Sequence, residues 1–162
     1  MSARAEYLGM PLEISPLDVE NRDYFGFCAR REFRLQKCLE CALVRYPPAP
    51  SCPWCASSSA EWVPVEGRGA VFSYTAVHHP IQAAFKPHLP YLVLLVELDS
   101  QRGAPTPQDA LRVVGNLANP DGTLAAPELV AVVGIGTRVR MVFAEVSAEI
   151  ALPQWTIDAA DG

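Results

Sequence analysis

Apolar and polar side chains alternate most cleanly in two stretches. In "EFRLQKC", Phe33 and Leu35 fall on one side and Arg34 and Gln36 on the other. In "TRVRMVFAEVS", Val139, Met141 and Phe143 alternate with Arg138 and Arg140 until the pattern slips at Ala144. A period of two is that of a half-buried strand. "YLVLLVELD", from Tyr91, is apolar almost without a break, which predicts a strand buried on both faces. "VPVEGRGAVFSYTAVHH" predicts a long strand interrupted at Gly67 and Gly69, where a small barrel bends, with Phe72 and Tyr74 on a shared face. "ALRVVGNL" and "IALPQWTI" supply two more strands, the second with Pro153 marking a sheet edge. Before the "TRVRMVF" strand, "APELVAVVGIG" offers a short helical turn ending at Gly134 or Gly136, and "DSQRGAPTPQDA" is a turn-rich surface insertion. Five strands with a short helix between the third and fourth is the order of an OB-fold, a partly open Greek-key barrel.

Upstream the period changes. Leu17, Tyr24, Phe25 and Cys28 share one side of a helix, and Ser15-Pro16-Leu17-Asp18 offers a cap, a first-turn proline and an acid. Gly26 weakens that helix. The predicted protein is mainly β, in three parts: a helical segment over 1–31, a cysteine-bearing ribbon over 32–61 and the barrel over 62–162.

The ribbon carries four of the five cysteines as two Cys-x-x-Cys pairs, Cys38 with Cys41 and Cys52 with Cys55. A thioredoxin-like site needs one pair in a βαβ setting, which is absent. Four thiolates complete the tetrahedron zinc prefers; an iron site of rubredoxin type takes the same ligands, and a disulfide stays open. Such a site leaves no vertex for water or substrate, so it folds a module rather than doing chemistry. Ala42 and Ala56 stand where glycine often follows a knuckle, which predicts a tighter or differently shaped turn. The N-terminus lacks an apolar run behind a basic start, and no segment approaches the roughly 20 apolar residues that span a bilayer. A cytoplasmic location is expected, where paired thiols more often hold metal than each other.

The remaining residues suggest binding more than catalysis. Cys28 has cationic neighbours in Arg30 and Arg31 but no histidine near it in sequence, and reads as helix packing. His78 and His79, adjacent on a strand, point to opposite faces and cannot serve one site. Phe85, Lys86 and His88 lie between prolines in a loop that suits an apolar arm with a charged end. Arg68, Arg112, Arg138 and Arg140 are candidate phosphate partners, each with solvated surface charge as the alternative. Ribbons and OB-folds also bind nucleic acid, but the formal charge is −5 and only the stretch from Arg22 to Arg45 is locally basic. Nucleic acid is the disfavoured rival.

The order of parts, the four cysteines, "GRG" followed by "FSYT", Pro90-Tyr91 ahead of "VLLVELD", Gly115, "IGTRVRMVF" and the closing "LPQW" resemble the zinc-ribbon/OB-fold acyl-CoA-associated proteins of bacteria and archaea. That resemblance implies one structural zinc ion and a non-catalytic accessory subunit, inactive as an enzyme on its own, that partners a thiolase-like acyl-CoA enzyme. Relatives of that kind also serve retro-aldolases or hydratases. It further implies acyl-CoA held by the barrel, for which Arg68, Tyr74, His79, Phe85, Lys86, Tyr91 and Arg112 are the candidates. The helix and ribbon would dock on the partner, with Tyr24, Phe25, Arg30, Arg31 and Arg34 as candidates there.

Overall fold

Residues 3–159 are described in the computed structural model, which opens on a hairpin where the sequence predicted helix. Strands β1 (Ala3–Tyr7) and β2 (Met10–Ile14) pair antiparallel around Leu8 and Gly9, both at positive φ (53° and 79°). Two left-handed residues give the mirror-image turn whose twist suits a two-residue hairpin. Helix α1 (Val19–Ala29) therefore starts later than expected. Its cap is Asp18, whose Oδ1 accepts from the Asn21 amide at 3.2 Å, and Ser15 and Pro16 lie outside it. A carboxylate satisfies that orphan amide and complements the helix dipole together. Leu17, expected on the packed face, precedes the helix and is exposed, while Tyr24 and Cys28 are buried. At the far end Arg31 donates to the Cys28 carbonyl (2.9 Å) and Glu32 to that of Phe27 (3.0 Å). Arg31 sits at φ 61° there, where glycine is usual.

The ribbon sheet has the order β4-β3-β5, from β3 (Arg34–Cys38), β4 (Val44–Arg45) and β5 (Ala60–Pro64). Its proline-rich loop is pinned by a buried polar knot. Gln36 Oε1 accepts from Arg45 Nε at 2.9 Å and from the Ala49 amide at 2.8 Å, and Arg45 Nη2 donates to the Ala49 carbonyl at 2.8 Å. Buried polar groups hold a loop this way only when they find partners.

The second sheet, β10-β9-β6-β7-β8, is built from β6 (Arg68–Val77), β7 (Tyr91–Leu98), β8 (Arg112–Asn116), β9 (Arg138–Glu145) and β10 (Ala151–Ile157). A parallel bridge from Leu117 to Trp155 brings the ends of β8 and β10 together, which is OB-fold closure. The predicted long strand from Val63 is two strands: Val63 and Pro64 belong to β5 and pair with β3, and β6 begins after the bend at Gly67. Gly69 is obligatory, since a Cβ there would lie 2.1 Å from the Glu97 carbonyl oxygen. Strand β7 is not buried on both faces. Leu92, Leu94, Val96 and Leu98 are buried while the intervening residues are half-buried, because only the inner face meets the core. On β9 the buried set moves from Val139 to Val142 and Ala144, so the slip comes earlier than Ala144. Helix α2 (Pro127–Val130) ends short of both predicted glycines.

Beyond Ala70, β6 loses its pairing with β9, and a bulge follows between Val71 and Ser73. Of the two readings open for Phe72 and Tyr74, core residues or a stacking platform, their exposure rules out the core. The insertion after β7 is less loose than it read. Gln101 donates from Nε2 to the Val44 carbonyl and accepts the Val44 amide at Oε1, both at 2.9 Å, so the barrel grips the ribbon at two points.

Candidate functional site

The two knuckles have matching backbones. The Cys38 amide donates to the Leu43 carbonyl at 2.9 Å and the Cys52 amide to that of Ser57 at 2.8 Å. The amides of Ala42 and Ala56 return to the Cys38 and Cys52 carbonyls at 3.1 and 2.9 Å. Both alanines take φ 63°, so the left-handed turn is kept without glycine and the expected change of turn shape does not occur. Cys38 and Cys55 bring their Sγ atoms to 3.5 Å, Cys41 and Cys52 to 3.6 Å, and all four sulfurs lie within 4.8 Å of one another. Thiolates about 2.3 Å from one tetrahedral ion have S–S edges of about 3.8 Å, so these donors fit a single metal. The Cys41 amide, with that of Glu40, holds the Cys38 thiol down to about 6 against desolvation. Against the lowering effect of the Ser57 amide, burial and the facing thiols push Cys55 up to about 12, so the proton is shared unevenly across the cluster.

The loop candidates separate. Phe85 packs on Tyr91 (ring centroids 4.9 Å) and on Tyr7 (6.3 Å), a residue that sequence reasoning missed because the hairpin presenting it was read as helix. Tyr7 and His88 also line a cavity of about 310 Å³ with Leu8, Asp121, Thr123 and Glu145. Lys86, His78 and His79 are exposed outside it, the histidines just past the end of β6. Arg112 is spent: its guanidinium lies 3.7 Å from the Phe72 ring centroid, pairs with Glu97 at 3.0 Å and donates to the carbonyls of Pro107 and Gln108. Arg138 is paired with Asp99. Arg68 and Arg140 instead line a cleft of about 290 Å³ between helix, ribbon and barrel.

Of the expected docking residues, Tyr24 is 2% exposed and meets half-buried Phe25 edge-on at 5.2 Å, so it belongs to the core. Arg30 and Arg34 lie over the Phe27 ring at 4.9 and 5.4 Å and pair with Glu32, and Arg31 pairs with Glu145 at 3.1 Å. Cys28 is fully buried, and desolvation pushes its thiol up to about 12, as a packing residue's would be. Among the described residues no helix is long and apolar enough to cross a membrane.

Comparison with known proteins follows the same outline. A family model described as "ChsH2, C-terminal OB-fold domain" matches residues 62–144. A probable enoyl-CoA hydratase alpha subunit of Thermomonospora curvata is 34% identical over 146 residues, 88% of this chain and 40% of that protein. The chain thus spans well under half the length of that relative. A DUF35 domain-containing scaffold protein of Methanothermobacter thermautotrophicus is 31% identical over 114 residues, 70% of this chain and 72% of the relative. Among solved structures, a chain of the Ltp2-ChsH2(DUF35) aldolase superposes with a TM-score of 0.67 at 31% identity, covering 89% of this chain and 98% of that one. A DUF35-family protein of unknown function from Sulfolobus solfataricus superposes at 0.52 with 14% identity, a likeness of fold alone.

Proposed function

As this chain belongs to the ChsH2 OB-fold, or DUF35, family, we propose that it is the zinc-bearing accessory subunit of an acyl-CoA-processing enzyme, itself without the reacting groups. The observation that carries the reading is the match to the aldolase chain, which covers 89% of this chain and so reaches beyond the barrel. An aldolase-class partner is therefore the first reading and a hydratase the second, favoured by the name of the Thermomonospora relative. The thiolase-type partner drawn from the family resemblance is tested by the same experiment.

Zinc supports this role by folding the ribbon, with Cys38, Cys41, Cys52 and Cys55 as its ligands, so that the ribbon can seat on the barrel. The barrel then offers the acyl-CoA two apolar places, the Tyr7–Phe85–Tyr91 cluster and the cleft beside Arg68. Its own residues bind and exclude water; the partner supplies the acid, base or nucleophile. Tagged purification from the native host with whatever enzyme accompanies the protein, followed by assay of each part and of the mixture on CoA esters, tests the reading. A stoichiometric complex with carbon–carbon cleavage or hydration of a CoA ester, absent from either part alone, is expected. A partner fully active without this subunit would overturn it.

A further inference from the structure

The strands β6 and β9 place Arg68 directly opposite Arg140. Cross-strand neighbours in an antiparallel pair share a face, and like charges so placed are destabilising. Arg68 is partly compensated by Glu66 and Asp158, each at 3.6 Å. Arg140 has no ion pair or side-chain hydrogen bond among the described residues. A third cation faces the same cleft. Arg31 lies at the end of α1 with a left-handed backbone that glycine would hold with less strain, and its contact is an exposed pair with Glu145. The rest of the cleft lining is mixed: Phe33, Val65, Met141 and Phe143 supply an apolar side and Glu66 a carboxylate beside Arg68.

Three guanidinium groups beside an apolar side, one of them uncommitted, outnumber the single lining carboxylate and are matched by an anion that carries a flat hydrophobic ring. A carboxylate on an aliphatic chain would leave the aromatic side idle, and a bare phosphate would leave it wet. We propose that this cleft takes the phosphorylated adenosine end of the acyl-CoA, with a phosphate on Arg140 and Arg68 and the purine against Phe33 and Phe143. The assignment rests on the acyl-CoA reading above and deepens it, because it places the charged end of the ligand on the junction of helix, ribbon and barrel. The uncharged pantetheine arm and acyl chain then extend away from the arginines.

The test is calorimetric titration of the zinc-loaded protein with adenosine 3′,5′-bisphosphate, CoA and pantetheine. The bisphosphate and CoA are expected to compete for one site, and pantetheine to leave the site open. Arg140→Gln is expected to weaken bisphosphate binding at least tenfold, and Arg140→Lys to restore part of it. The melting temperature of unliganded Arg140→Gln should stay unchanged or rise, since a like-charge pair is relieved; a merely structural arginine would lower it. No bisphosphate binding by the wild type, or equal binding by Arg140→Gln, overturns the proposal. An active partner complex with an empty cleft would sink this inference alone, whereas bisphosphate binding without any acyl-CoA enzyme partner would sink the accessory-subunit reading alone.

Discussion

Ala42 and Ala56 hold a conformation that costs a residue with a Cβ about 1–2 kcal/mol, and they hold it because the turn must aim backbone amides at sulfur. Replacing either with glycine should relieve that strain and raise stability by up to about 1 kcal/mol, after the extra chain entropy of glycine is subtracted. Thermal melts of the metal-loaded single variants check this; a fall in both would mean that the alanine methyl groups pack against something that matters more than the strain. The opposite substitution is severe in the barrel. Gly69→Ala drives a methyl group into the Glu97 carbonyl, so β6 and β7 must separate locally, and a loss of about 3 kcal/mol or more is expected in urea titration. At this scale the sequence was a good guide to the cysteine cluster, whose four members announced themselves by spacing. It was a poor guide to the alanines, since an energetic penalty absorbed by the surrounding fold leaves no mark in composition. Arg140 stood among four candidate arginines and could not be singled out, because only the folded ion pairs show that the other three have counter-ions.

Among the elements, strands were more legible than the segments that join them. The OB-fold order survives intact, because five apolar stretches each had to bury one face against a common core. The N-terminal hairpin was missed because Leu8-Gly9 is not the usual Asn-Gly turn signal and because the strands are short and mostly half-exposed. The division of the predicted long strand between two sheets was hidden for a related reason. Pairing partners, not side-chain pattern, decide that β5 belongs with β3. Asp99 shows what the turn-rich insertion does for the barrel. The hydrogen bond from Arg138, joined by Arg102, holds its carboxyl down to about 2, so folding favours the ionised form. A depressed carboxylate contributes stability that is complete above the unfolded value of about 3.9 and is lost as pH falls toward 2. Asp99→Asn should therefore lower the melting temperature at neutral pH and flatten its decline between about pH 4 and about 2. A parallel downward displacement, with the acid slope unchanged, would remove Asp99 from that account.

Taken whole, the molecule is a small sheet with four cysteines clustered to hold a metal, set against a barrel with which its strand β3 shares one core. Removing the metal should uncouple their fates. With a strong chelator, amide exchange is expected to accelerate across 34–64 while β7, whose inward residues form the centre of the barrel core, stays protected. Equal loss of protection in both regions would show that the barrel cannot stand without the ribbon. The clasp at Gln101 is of another kind. One hydrogen bond between ribbon and barrel would leave a swivel, free to turn about its own line. The paired bonds to Val44 fix the tilt as well as the distance, and they do so with a neutral amide that neither acid nor salt loosens. The two bodies thus share one orientation over the whole range in which the Asp99 ion pair weakens. On the accessory-subunit reading, a partner enzyme would meet a template with a set angle, and Gln101→Ala is expected to lower the association rate of the purified subunits even where every residue on the mating surface is untouched.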